Sequence, residues 1–357
     1  MKDFNSIKEY QEKLSTLVGV SGYEEDIREF ILQEIKEGQL ADRVWTDKLG
    51  NVLAIIYGNN EEKKILLDAH MDEIGFMVSH IEEKGFLRFV LIGGWDERIL
   101  LGQPVVIKSN ENKMHPGIIG TKPPHLTTSK EREEKIKVSK LYIDLGFFSK
   151  QEVLDNGINI GSVGILYSPY ELFPNNMVRG KAFDDRTGCN VLLHIMKLLK
   201  TSDKLDETVV FSFSVQEEIG GRGAQPAAYS LEPTMALAIE NTTAADVPGV
   251  SDSECPAYLG KGPAITLADK SLISSPKVNK RLMENAKIEN IPFQIKKPLY
   301  GGTDAGKIHL TKGGVPSSVV SVPCRYIHSP VSLLKLDDIL NSIKLIKAFL
   351  KNPAKFQ

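Results

Sequence analysis

The chain has 357 residues, 41% of them hydrophobic, 25% charged and 7% aromatic, which suits about two domains with buried cores and excludes a disordered chain or a disulfide scaffold. Lys and Arg number 44 against 46 for Asp and Glu, a formal net charge of -2, so nothing electrostatic points to nucleic acid or an anionic membrane as partner. Cys189, Cys255 and Cys324 make no C-x-x-C spacing, which argues against a zinc ribbon and fits a reducing, cytoplasmic setting.

From the N-terminus, Met1 to Asn5 opens a polar stretch without an apolar signal region, and no apolar run nears the ~18 residues of a membrane span. Ser21 and Glu24 have capping-box spacing, and Ile27, Phe30, Ile31 and Ile35 follow at helical spacing, predicting a helix from Tyr23 to Lys36. Val52 to Tyr57 and Ile65 to Ala69 read as strands, with Gly58-Asn59-Asn60 as the turn between them.

After Met71 the texture changes. Short strand-like runs follow at Phe86–Ile92, Val105–Ile107, Gly117–Ile119 and Leu141–Ile143, separated by turn residues. They predict a small β-barrel or sandwich. The run Lys130 to Lys137 alternates in charge and reads as a solvated loop.

From Lys181 an α/β texture returns. Val191, Leu192, Ile195 and Leu198 form a helical stripe, and His194 within that helix reads as structural. Thr208 to Val215, Met235 to Ile239 and Val319 to Val322 read as strands, and Leu334 to Leu350 as a C-terminal helix. The pattern predicts an α/β fold, a mostly parallel sheet with helices on both faces, carrying an inserted barrel-like β domain. By these boundaries residues 1–71 and 177–357 form the α/β domain and residues 72–176 the insert.

Polar clusters sit at the ends of the candidate strands. His70 and Asp72 follow one, Glu217-Glu218 another, Glu240 ends a third, and His328 comes after a fourth; Asp184-Asp185 opens the striped helix. Ligands of open α/β sheets bind at the carboxyl ends of the strands. Each cluster alone has an ordinary reading: a structural histidine, a solvated acid pair, or an Asp pair at a helix N-terminus. Together, two histidines with carboxylates and no thiolate make a nitrogen/oxygen site suited to Zn, Co or Mn. Asp72 could accept the hydrogen bond of the imidazole nitrogen that faces away from the metal, or orient the site less directly. No G-x-S-x-G elbow is present, and His80, His115, His125 and His309 have no identifiable partner for a serine nucleophile.

The stretches LLDAHMDEIGFMV, GKAFDDRTG, VQEEIGGRGA, LYGGTDAG and CRYIHSP, in this order, resemble the dinuclear-metal aminopeptidases of the glutamyl and tetrahedral aminopeptidase family. HPGIIGTKPPHL resembles part of that family's inserted β domain, and some relatives carry an endoglucanase name. The resemblance implies a phosphorylase/hydrolase-like α/β domain holding two divalent ions, with Zn, Co or Mn as candidates. His70 would bind one and His328 the other, and Asp184 would bridge them through a residue whose following peptide is cis. Glu218 would bind one metal, and Glu217 would be the general base, with Asp72 as its catalytic companion. Glu240 stands where relatives commonly have an aspartate ligand, a departure of one methylene. Thr303 and Asp304 of the GGTDAG stretch are expected to line the cleft. The implied partners are a peptide substrate and further copies of the chain, up to a dodecamer, with the insert serving oligomerisation and access. A glycan hydrolase using the carboxylate pairs and a non-catalytic peptide-binding protein are the alternatives.

Overall fold

The computed structural model describes residues 2–129, 136–297 and 301–356, with side chains from residue 4 onward. Residues 130–135 of the predicted charged loop lie outside the described residues.

Four parallel strands make the centre of the main sheet, in the order Glu207–Ser214, Asn60–His70, Met235–Thr243 and Ser317–Arg325. Their side chains alternate between two cores, as period-2 geometry requires. Ile65, Leu67, Val209, Phe211 and Leu237 face one core, and Leu66, Val210 and Ala236 face the other. Helix Phe183–Lys200 covers the first face together with Glu25–Gly38 and Leu336–Lys351. Helix Ala224–Leu231 covers the second, through Ala224, Ala227, Ala228 and Leu231.

The sheet is therefore mixed. Its centre is parallel, while the flanks are antiparallel: Val52–Ile56 and Arg43–Thr46 on one side, Ser332–Lys335, Met177–Gly180 and Glu171–Phe173 on the other. The turn at Gly58 joins Val52–Ile56 to Asn60–His70, but the two do not pair, because Glu207–Ser214 lies between them. A Cβ on Gly58 would stand 2.3 Å from the Glu207 carbonyl, so the turn needs glycine to let that strand in.

Between Gly75 and Leu166 six strands close a barrel, in the order Gly75–Ile81, Leu87–Ile92, Tyr142–Asp144, Met114–Gly120, Pro104–Lys108 and Val163–Leu166. It has its own core of Phe76, Leu87, Phe89, Ile107 and Ile143. The first and last of its strands are absent from the sequence reading. Gly75–Ile81 follows His70 too closely to stand out as a separate run, and Val163–Leu166 has only four residues. Among the described residues, no helix is long and apolar enough to cross a membrane.

Helix Glu25–Gly38 buries Ile27, Ile31 and Ile35 as the periodicity predicts. The capping box does not form. Glu24 occupies the N-cap without a side-chain capping bond, and the Ser21 hydroxyl is used elsewhere.

Where sheet and barrel meet, Glu73 is buried among cations. It accepts from Lys181 Nζ at 2.8 and 3.0 Å, from Arg186 Nη2 at 3.3 Å and from the Gly19 N–H at 3.1 Å. Burial pulls Lys181 down to about 8, against the pull of Glu73. Removing one member of such a buried group leaves charge uncompensated, which costs about 3–5 kcal/mol. Glu73→Gln should lower the unfolding free energy by about that much in urea titrations. A loss below about 1 kcal/mol would contradict the ionic reading of this junction.

Candidate metal centre

The parallel register brings the carboxyl ends of the central strands to one edge. Ser214 pairs with His70, and Glu240 with Ser321. Asp184 stands in the middle. It belongs to the first turn of helix Phe183–Lys200 but has non-helical φ/ψ of -80° and 108°, which turns its carboxylate away from the helix. The Asp184–Asp185 peptide is cis.

Each Asp184 oxygen faces a different histidine. Oδ1 is 3.3 Å from His70 Nε2, and Oδ2 is 3.3 Å from His328 Nε2. On the first side Glu240 Oε2 lies 3.7 Å from His70 Nε2; on the second Glu218 Oε1 lies 3.0 Å from His328 Nε2. Two donor groups result, His70–Asp184–Glu240 and Asp184–Glu218–His328, sharing Asp184. Glu217 Oε2 is 3.9 Å from His70 Nε2 and belongs to neither group. Asp185 turns inward: its oxygens accept from the Gly188 N–H at 3.0 Å and the His70 N–H at 3.2 Å. The Asp-Asp pair thus divides into one residue facing the site and one tying the helix start to the strand.

Asp72 is fully buried behind this centre. Its Oδ1 accepts from the Glu217 N–H at 2.9 Å and lies 3.3 Å from His70 Nδ1. Its Oδ2 accepts from Ser21 Oγ at 2.6 Å and from the Glu218 N–H at 3.1 Å. His70 Nδ1 also lies 3.1 Å from the Asp72 carbonyl. Glu24 supports the same loop: Oε1 accepts the N–H of Gly22 at 2.7 Å and of Gln216 at 3.2 Å. Ser21 and Glu24 therefore hold the Glu217-Glu218 turn instead of capping a helix. Sequence spacing alone could not separate the two uses.

The electrostatics test whether cations fit. Burial opposes the charge on His328, yet its hydrogen bonds to Asp184 and Glu218 push it up to about 11. His70 is likewise raised, since Asp184 and Asp72 outweigh its burial. Burial pushes Glu217 and Glu240 well above the usual carboxylate range, and neighbouring acids add to both shifts. Asp184 goes the other way, because the two histidines more than offset its burial. Carboxylates thus outnumber cationic groups in a largely buried cluster at the floor of a cleft. Divalent cations would supply the missing positive charge, and the imidazole and carboxylate donors suit Zn, Co or Mn. The thiols stay apart: Cys189 Sγ donates to the His70 carbonyl and Cys324 Sγ to that of Arg325.

A cleft of about 710 Å³ opens over the centre, lined by Glu217, Gly220, Thr242, Lys296, Thr303 and His328 among others. Asp304, expected at the wall, is fully buried below it and accepts from Ser214 Oγ at 2.6 Å. Its N–H donates to Glu240 Oε1 at 3.3 Å, so it supports a candidate ligand. Leu299 and Tyr300 of the same stretch lie outside the described residues. Lys296, which the sequence reading passed over, is a buried cation at the cleft. Burial lowers it from the usual lysine range, opposed by Asp269, Glu240 and Asp184. His194 is structural, with Nδ1 against the Asn190 carbonyl at 3.0 Å.

A family model described as M42 glutamyl aminopeptidase matches residues 50–345. The chain is 42% identical over 334 residues to a protein of Acetivibrio thermocellus provisionally named an aminopeptidase, covering 94% of this chain and 95% of that one. It also superposes with a TM-score of 0.94 on the TET aminopeptidase of a marine-sediment Thaumarchaeota archaeon, at 38% identity, covering 99% of this chain and 98% of that one. A TET peptidase of Pyrococcus horikoshii, described as able to assemble into a tetrahedron or a large octahedral shell, has a TM-score of 0.86 and 34% identity, with 97% and 99% covered.

Proposed function

The chain belongs to the M42 glutamyl aminopeptidase family, and from that premise we propose that it removes N-terminal residues from peptides at the Asp184 centre, with two divalent metal ions bound. The observation that carries this reading is the division of Asp184, one oxygen toward His70 and Glu240, the other toward His328 and Glu218. That is the donor set a pair of metals sharing one carboxylate needs. It also weighs against the glycan alternative, whose chemistry has no use for two histidines on a shared carboxylate.

His70, Asp184 and Glu240 would hold one ion, and Asp184, Glu218 and His328 the other. When bound, such a pair lowers the pKa of an attacking water and supplies Lewis acidity to the scissile carbonyl. Glu217 takes the water's proton and passes it to the leaving amine. Asp72 does not touch the substrate in this scheme. It fixes the Glu217 and Glu218 backbone and the His70 ring in one arrangement. Glu240 reaches the site although it is one methylene longer than the commoner aspartate, and the Asp304 N–H holds the extra length in place. The free α-amine would be received by a metal or a cleft carboxylate, which limits cutting to one residue at a time.

In this reading residues 1–71 and 177–357 form the catalytic domain and residues 72–176 an insert for assembly and access. The similarity to a peptidase that forms closed shells supports a homo-oligomer, with a dodecamer as the expected state.

Glu217→Gln should leave metal content near wild type while kcat falls by roughly 10²- to 10⁴-fold. Glu218→Gln should instead lower metal occupancy. Elemental analysis beside steady-state kinetics separates the two, and exchanged phenotypes would reverse the assignment within the pair.

A peptide with a free amine should be trimmed from its N-terminus one residue at a time. Its N-acetylated twin loses a charged, partly buried contact worth about 2–5 kcal/mol, or roughly 30- to 4,000-fold. Equal cleavage of the two, followed by mass spectrometry, would defeat the exopeptidase reading while leaving metal-dependent hydrolysis standing.

A further inference from the structure

The two candidate metal histidines are held in different ways. His70 is 1% exposed, and its Nδ1 is held by Asp72, two residues away on the same chain segment. His328 has a side chain 32% exposed, and its backbone has φ of +57°. Its Nδ1 lies 2.8 Å from the carbonyl of Gly94, 234 residues away. Gly94 follows barrel strand Leu87–Ile92, so the barrel reaches over to a residue of the sheet.

We propose that Gly94, held by Trp95, is a positioning residue for His328, so that the barrel sets one half of the metal centre. The inference rests on the two-metal reading above. A carbonyl only accepts, so the proton at this contact must sit on His328 Nδ1. That leaves Nε2 as the ligand atom, and it points at Asp184 and Glu218. Metal-binding histidines commonly donate their other ring N–H in this way, which fixes ring orientation and tautomer.

A second observation concerns the missing side chain. A Cβ on Gly94 would stand 3.2 Å from His328 Nδ1 and 3.4 Å from Cε1. Gly94 is not among the glycines with positive φ, whereas its neighbour Gly93 has φ of +83°. Backbone conformation therefore does not require glycine at 94. A side chain there would instead press on the imidazole, which would have to give by a few tenths of an ångström.

Trp95 fixes the loop that carries this carbonyl. Its indole Nε1 donates to the Gly75 carbonyl at 2.9 Å and to the Ile92 carbonyl at 3.0 Å. Those acceptors belong to the first two strands of the barrel. The first of these strands leaves the sheet directly after His70 and Asp72. The loop is thus referenced to the same segment that positions the other histidine.

The test uses Gly94→Ala and Trp95→Phe in the full chain, the second removing only the indole N–H donor and the outer ring. Zinc titration against a competing chelator should give two sites in the wild type. In both variants one site should weaken by roughly 10- to 100-fold while the other stays within about twofold. Activity should recover when zinc is raised. In metal-free protein the His328 Nδ1–H, followed by ¹⁵N-histidine NMR, should be protected from exchange in the wild type and lose that protection in Gly94→Ala. Unchanged affinity at both sites with protection retained would overturn the proposal. So would equal weakening of both sites with a lowered thermal midpoint of the metal-free protein, which marks a general structural role. Fewer than two zinc sites in the wild type would count against the two-metal reading, and His328 protection would still decide the positioning claim.

Discussion

Asp72 is a carboxylate with no access to water, and the geometry of the centre follows from how it is satisfied. A buried charge persists only when hydrogen bonds and opposite charge replace its hydration. Here the replacements are the His70 ring, the Ser21 hydroxyl and the N–H groups of Glu217 and Glu218. Burial raises the carboxyl, yet these partners bring it below its ordinary value. It remains an acceptor toward all of them. One side chain thereby relates the end of one parallel strand, the turn after its neighbour and the N-terminal segment. Neither Glu217 nor Glu218 can shift without giving up one of its bonds.

The second half of the centre is built differently. Asp184 is aimed by leaving helical geometry at the helix start, with Asp185 tying that start to the His70 backbone. Glu240 comes from the middle of a buried strand and rests on the Asp304 N–H. His328 comes last, on the turn between sheet strands Ser317–Arg325 and Ser332–Lys335, and takes its orientation from the barrel. Glu73, with Lys181 and Arg186, closes the junction between sheet and barrel beneath these elements. The site therefore depends on the two cores holding a fixed relation, not on the sheet alone.

Much of this was legible in the chain. The 27/31/35 stripe gives helix Glu25–Gly38, and the short continuous apolar runs give the central strands, because burial on both faces leaves an unbroken hydrophobic signal. Acids and histidines at several strand ends point to a candidate metal centre where single residues would not, and the family resemblance implies a role for each. Other features were not readable. Ser21 and Glu24 have a capping-box spacing, but the hydroxyl meets a buried acid from a distant segment, and tertiary satisfaction wins over a local cap. Asp304 looks like a cleft residue until the fold places it beneath the floor. Gly94 carries no signal in a single sequence, since the imidazole its carbonyl meets is 234 positions away. The antiparallel flanks of the sheet were also hidden, because short edge strands have no pattern that reports direction.

The central claim is that Asp184 is shared by two metal ions. Anomalous diffraction from zinc-loaded crystals, recorded above and below the zinc edge, tests it most directly. The account predicts two peaks about 3.5–4 Å apart, one beside His70 and Glu240 and one beside Glu218 and His328, with an Asp184 oxygen on each. A single peak, or two that leave Asp184 without contact, would contradict it.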